Sequence, residues 1–240
     1  MNKSALPYAL GALLLGVVGI VFHDFALTWQ PVPASVGMRI PLAYLSGAIL
    51  VIGGGAILTG KGTRLGAWIL TVFFGLWVVA LHFPNALAGW KHIGAWNGPA
   101  ELTFATMGGL ALISANAGDL KRSMALVARV VAGVCALVFG LAHFNYIDFT
   151  ATMVPQWLPP STVFWAWATG AGHLAAGLAL VSGVKARLAA TCLTGMMASF
   201  VLLVHLPGVW HEPASHLQWA MLAVATTFTG AAWLVRKYAT

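Results

Sequence analysis

Histidine and acidic residues follow a regular spacing that could support ligand or proton chemistry. Four of the eight histidines end apolar runs, and further histidines and four of the five acids lie near those ends. Imidazole and carboxylate groups can bind a transition metal, supply two axial haem ligands or pass protons to a quinone head group. The residues predicted to bind a ligand or handle protons are His82, His205, His23, His143, His173, Asp24, Asp148, Glu101 and Glu212.

A dedicated metal site is not predicted, because no His-x-x-x-His pair falls on one helix. His82 and His205 would be the ligands of any metal that binds, while quinone is the favoured cofactor and haem or a metal is the alternative. A simpler explanation needs no ligand, because free carbonyls at helix C-termini favour histidine and helix N-termini favour Glu101 and Glu212. No residue is assigned a catalytic role.

His173 differs from the other candidates because it falls near the middle of an apolar helix. An ionisable side chain there is costly unless it faces other helices or water. One interpretation is structural, with the imidazole bonded to a neighbouring carbonyl or hydroxyl group. The other interpretation gives His173 a role in ligand binding or proton transfer.

The elements that must position these residues are too apolar for a soluble domain. Of 240 residues, 60% are hydrophobic and 7% are charged, and the mean hydropathy is +0.88. Apolar runs of about 20 residues, the length that crosses ~30 Å of hydrocarbon, recur along the chain. The first run begins like a signal peptide but is expected to remain as a helix. We predict an all-α polytopic membrane protein with eight transmembrane helices over 6–24, 41–59, 65–83, 99–116, 124–144, 161–182, 187–206 and 213–235.

The basic residues indicate orientation rather than nucleic-acid binding. The net charge is +7, but Lys and Arg lie singly or in pairs between the apolar runs and form no stripe on one face. Counted by alternate loops, ten lie on one side of the membrane and two, Arg39 and Lys91, lie on the other. The positive-inside rule therefore predicts that both termini are cytoplasmic and that the histidine-rich helix ends face outward.

The two halves of the chain resemble each other. Residues 47–84 match residues 170–207 without a gap at an offset of 123, with 13 of 38 positions identical. His82 aligns with His205, whereas His173 aligns with Leu50. We predict two tandem four-helix units, residues 1–120 and 121–240, related by a pseudo-twofold axis along the membrane normal.

Small and aromatic residues extend the comparison between the halves. Trp96 is predicted to correspond to Trp210, because each precedes a Pro-Ala pair by three residues. Small residues on the second and sixth helices are predicted to permit close contact with neighbouring helices. These residues are Gly53, Gly54, Gly55, Gly170, Gly172 and Gly177.

Motifs in the second half are similar to those of a known membrane family. They are Val154-Pro155-Gln156-Trp157-Leu158-Pro159 before a helix, then Trp165 to Gly170, then Ala176-Gly177-Leu178-Ala179-Leu180 before a basic turn. From about His143 to Pro207 the chain resembles the DoxX-like integral membrane proteins, and the first half resembles them more weakly. The resemblance implies a four-helix unit and an association with quinone-linked respiratory or thiosulfate-oxidising systems. Members commonly carry a glutamate after the helix glycine, where this chain has His173.

Three functions are consistent with these patterns. The first is a bacterial inner (plasma) membrane subunit or anchor of a quinone-linked redox system, with the lipid bilayer and a redox protein as partners. The second is a small-solute or ion permease, although the sequence lacks the interrupted helix pair expected at a midplane site. The third is a non-catalytic membrane assembly factor.

Overall fold

The computed structural model describes residues 3–115 and 117–240, and these form helices joined by short loops, without strands. The first half contains α1 (Leu6–Val21), α2 (Arg39–Thr59), α3 (Thr63–Trp77), α4 (Phe83–Ala88) and α5 (Ile93–Ser114). The second half contains α6 (Lys121–Asn145), α7 (Ile147–Met153), α8 (Thr162–Ser182), α9 (Ala186–Phe200), α10 (Leu206–His211) and α11 (His216–Tyr238). The prediction of an all-α protein is confirmed for the described residues.

Seven helical segments within the described ranges are long and apolar enough to cross a membrane. They are Lys3–Val21, Arg39–Thr59, Thr63–Ala88, Gly118–Asn145, Thr162–Ser182, Ala186–His211 and His216–Tyr238. The eighth predicted span corresponds to α5, which is not among them. Asn97, Pro99 and Glu101 make the first half of α5 less apolar than its second half.

The eight long helices pack side by side in a closed ring. Along the ring, α1 packs on α2, α2 on α3, α3 on α5 and α5 on α6, followed by α6 on α8, α8 on α9, α9 on α11 and α11 on α1. A further contact between α5 and α11 crosses the centre. The first helix of each half therefore packs against the last helix of the other half.

Several predicted helix ends differ from the structure. α1 ends at Val21 rather than at residue 24, because His23 has a left-handed φ of 55° that ends the helical path. α5 begins at Ile93, six residues before the predicted start at Pro99. Proline is compatible with the second turn of a helix when one backbone hydrogen bond is given up. The predicted end at Asn116 lies outside the described residues.

His82 and His205 do not end helices, contrary to the prediction. Each lies at the end of a π-helical turn, Val78–His82 or Val201–His205, and an α-helical segment follows without a break. The N–H of Phe83 donates to the Val78 carbonyl, which widens the helix by one residue before Pro84. Because the backbone continues, the free-carbonyl explanation for histidine at these two positions does not apply.

The bounds of corresponding elements coincide between the halves at an offset of 123. α2 and α8, α3 and α9, α4 and α10, and the two π turns begin and end at residues separated by that number. Trp96 and Trp219 each donate from the indole nitrogen to a carbonyl six residues earlier, Trp90 and Pro213. Trp219, rather than the predicted Trp210, therefore makes the contact equivalent to that of Trp96.

Two glycine contacts bring the first and second long helices of each half close together. A Cβ atom at Gly54 would lie 2.6 Å from the Ala9 carbonyl oxygen, and one at Gly177 would lie 2.8 Å from that of Gly133. The predicted close approach is confirmed at these two positions. It is wrong at Gly55, where a Cβ atom would meet no other atom within 4 Å.

Candidate functional site

The candidate residues concentrate at one end of the bundle, which we call the histidine-rich end. It is the end where α1 and α6 finish and where α2, α5, α8 and α11 begin. Within this end the polar side chains form separate groups rather than one cluster. Among the described residues, no three His, Cys, Asp or Glu side chains are placed to hold a metal ion.

The first group, which we call the Glu101 network, comprises Glu101, Asn97, Trp29 and His82. Asn97 Nδ2 donates to Glu101 Oε1 at 2.8 Å. The Trp29 indole faces the same carboxyl group, although its Nε1 does not reach hydrogen-bond geometry. His82 Nε2 donates to the Trp29 carbonyl oxygen at 2.9 Å. Trp29 thus connects an acid of α5 to the histidine that follows α3.

Local structure explains how His82 reaches this network. The π turn rotates His82 toward α5, where the imidazole packs on Gly98. A Cβ atom at Gly98 would lie 2.6 Å from His82 Nδ1, so only glycine leaves room for the ring. His82 is consequently 6% exposed.

The second group, which we call the His173 cluster, comprises His143, His173, Phe139 and Phe200. The imidazole rings of His143 and His173 have centroids 5.0 Å apart. Phe139 meets His173 edge to face at 5.5 Å, and Phe200 lies 6.3 Å from it. His143 Nδ1 donates to the Phe139 carbonyl, one helical turn earlier.

His173 is a buried residue with an unpaired ring nitrogen. It is 2% exposed, lies in the middle of α8 as predicted, and its Nδ1 has no hydrogen-bond partner. This nitrogen therefore does not make the bond to a nearby carbonyl or hydroxyl that the structural interpretation requires. A buried nitrogen without a partner costs about 1–3 kcal/mol.

His205, the repeat counterpart of His82, has no equivalent partner. Its Nδ1 is buried and unpaired. In the first half the partner carbonyl belongs to Trp29, in a 3-10 turn, whereas the aligned stretch of the second half forms α7. His82 and His205 therefore contact different surroundings and do not form one site with each other.

The remaining candidates lie outside both groups. His23 is exposed and its Nδ1 bonds the Tyr44 hydroxyl at 2.6 Å. Asp24 forms a 2.8 Å ion pair with Arg39. Asp148 and Glu212 are exposed, and Asp148 lines an open cleft of about 530 Å³ between α7 and the start of α8.

An aromatic cluster lies beneath the two groups. Phe104 of α5 contacts Phe139 of α6 at 5.8 Å and Phe228 of α11 at 6.0 Å. Glu101 precedes Phe104 by three residues and His143 follows Phe139 by four. Because α5 and α6 are antiparallel, both polar residues lie about one turn closer to the histidine-rich end than the phenylalanines.

Sequence reasoning missed Trp29, Asn97, Phe139 and Phe200 as members of these groups. Asn97 and Phe139 could have been found, since each lies four residues from a candidate on the same helix face. Trp29 comes from the loop after α1, and no local spacing indicates that it meets α5.

Comparison with known proteins concerns the second half of the chain. No curated protein and no solved structure matches the chain significantly. The DoxX family model matches residues 124–206, which extend from α6 through the π turn that carries His205 and include the whole His173 cluster. Residues 124–206 are therefore similar to the DoxX family of membrane proteins.

Proposed function

We propose that this protein is a quinone-binding membrane subunit or anchor of a redox system, with the quinone head group held at the His173 cluster. The observation that carries the proposal is the unpaired Nδ1 of His173, buried beside a second imidazole and two phenylalanine rings. A hydrogen bond donated by that nitrogen to a ligand carbonyl would remove the cost of leaving it unsatisfied.

The surroundings favour a flat, largely apolar ligand with carbonyl groups. An imidazole N–H can donate to a quinone carbonyl, and phenylalanine rings provide faces and edges for its ring. No Lys or Arg side chain is among the described contacts of the cluster, which argues against an anionic ligand. His143 and Phe200 are only half-buried, so the cluster borders the surface that faces lipid, from which a quinone would enter.

We further propose the membrane arrangement that accompanies this function. Eight spans, with α5 as the eighth, would form two four-helix units over residues 1–120 and 121–240, in a bacterial inner membrane with both termini in the cytoplasm. The coincident bounds of α2 and α8 and of α3 and α9 support the repeat. The ten-to-two distribution of basic residues supports the orientation. A redox protein would meet the histidine-rich end.

The test is mass analysis of lipids extracted from gently purified protein, with His173→Leu as the decisive variant. Leucine is the residue that the first half carries at the aligned position, Leu50, so the fold should tolerate it. We expect wild type to retain quinone and His173→Leu to lose it. His23→Ala, which changes an exposed histidine outside the cluster, should retain it.

Two outcomes would contradict the proposal. Quinone retained equally by wild type and His173→Leu would place any binding elsewhere. A wild-type preparation free of quinone, even after incubation with excess quinone, would leave the permease and assembly functions, which solute uptake into vesicles would distinguish.

A further inference from the structure

Glu101 is an acid inside the helical bundle that lacks a basic partner. Its described contacts are neutral: the Asn97 amide, which donates to Oε1, and the Trp29 indole, which faces the carboxyl group. Asp24 and Arg39 form the one ion pair found among the described residues. A carboxylate placed among helices without a cation is unfavourable unless it exchanges a proton or binds a ligand.

Exposure decreases along successive turns of α5 on the face that carries this carboxyl group. On one face of the helix, Gly94 is exposed, Asn97 and Glu101 are half-buried, and Phe104 is 1% exposed. α3, α6 and α11 surround α5, so this gradient leads inward from the histidine-rich end and stops at Phe104. Glu101 is the deepest polar side chain on that path.

The titratable groups around Glu101 come from three neighbouring elements. His82, after α3, is engaged by the Trp29 carbonyl. On α6, His143 is engaged by the Phe139 carbonyl, and directly after α6 the Tyr146 hydroxyl lies against Gly94 near the mouth of the path. His216 begins α11 and stacks on Phe22. None of them is hydrogen-bonded to the carboxyl group, which is therefore free to take up a proton.

We propose that Glu101 is a proton-exchange site. Water at the histidine-rich end delivers a proton to the carboxylate, which becomes a neutral carboxylic acid and returns the proton by the same path, with no other bond changed. Asn97 orients the group through its N–H donor, and the Trp29 indole packs beside it. The aligned residue of the second half is Val224, so each chain carries one such site. The proposal is independent of quinone binding.

The test uses dicyclohexylcarbodiimide, an apolar reagent that modifies protonated carboxyl groups in membrane proteins, followed by peptide mass analysis. We expect label on Glu101 in wild type that decreases as pH rises, and loss of the label in Glu101→Gln. Asp24→Asn, which removes an acid of the Arg39 ion pair, should be labelled like wild type. Equal labelling of wild type and Glu101→Gln would overturn the proposal.

Infrared spectroscopy of unmodified wild type keeps the proposal testable if Glu101→Gln does not fold. We expect a carbonyl-stretch band of a protonated carboxyl group that diminishes reversibly as pH rises. A wild type that shows neither this band nor carbodiimide label at any pH where it remains folded would overturn the proposal. Neither measurement depends on whether quinone is bound.

Discussion

At the residue scale, the two repeat-related histidines and the unmatched His173 show how aligned positions acquire different chemistry. His82 donates to the Trp29 carbonyl, whereas the aligned His205 has an unpaired Nδ1. His173 occupies the position of Leu50, which is an ordinary buried side chain. Buried imidazole nitrogens without hydrogen-bond partners therefore occur in the second half, whereas the buried imidazole of the first half, His82, is hydrogen-bonded.

This difference predicts opposite effects of two histidine substitutions on stability. In quinone-free protein, His173→Leu removes an unpaired buried nitrogen and should raise the free energy of unfolding by about 1 kcal/mol. His82→Leu removes the donor to the Trp29 carbonyl and should lower it by about 1–3 kcal/mol. Thermal unfolding of both variants in one detergent measures the signs, and equal destabilisation by the two would contradict the assignment of partners.

The separation of the candidate residues into two groups could be predicted only in part. The candidate list includes Glu101, His82, His143 and His173, because acids and histidines are conspicuous in an apolar chain. Their grouping depends on which helices become neighbours, and in particular on Trp29 packing over α5. A loop side chain that meets a distant helix leaves no periodic signal in the sequence.

At the element scale, hydrophobic periods located the helices better than they located the helix ends. The predicted 161–182 differs from α8 by one residue at its start, because Ser161 caps the helix by accepting from the Phe164 N–H. The predicted ends at residues 83 and 206 were wrong, because Pro84 and Pro207 look like helix breakers. Each follows a π turn and occupies the first turn of the next segment, where proline is tolerated.

Adjacent glycines on α2 provide a prediction about helix packing. Gly54→Val places side-chain atoms against the Ala9 carbonyl, which a Cβ atom would approach to 2.6 Å, so α1 and α2 must separate. We expect a loss of about 1–3 kcal/mol, the usual cost of overpacking. Gly55→Val, with nothing within 4 Å, is the matched control and should have little effect. Equal thermal stability of the two variants would contradict the close crossing.

At the scale of the whole molecule, the unequal distribution of basic residues predicts which end faces the cytoplasm. We expect Trp210→Cys, at a site 84% exposed at the histidine-rich end, to react in intact cells with a maleimide that cannot cross membranes. Lys61→Cys, at the opposite end, should react only after permeabilisation. Both variants are made with Cys135→Ala and Cys192→Ala, and the reverse labelling pattern would contradict the proposed orientation.

The first helix of each half packs on the last helix of the other half, which predicts that neither half folds alone. α1 packs on α11 and α6 packs on α5, so part of the packing surface of each half is supplied by a helix of the other half. Tyr8 illustrates the dependence: its hydroxyl donates to the Ala105 carbonyl at 3.0 Å, while its backbone lies against Gly230 of the other half. Residues 1–120 and 121–240 should therefore copurify when coexpressed and aggregate when expressed separately.

Two glycines of the second half make this prediction specific to the α1–α11 contact. Gly230→Leu, introduced into the 121–240 piece, places a side chain directly against the Tyr8 backbone, where no space exists even for a Cβ atom. Copurification should then be lost. Gly195→Leu, at a site with nothing within 4 Å, should preserve it, because the contact surface is unchanged. The prediction would be contradicted if each piece, expressed alone, remained a soluble monomer in detergent with native helix content. The halves would then be independent units, and the contacts of α1 and α6 with the other half would add little to folding.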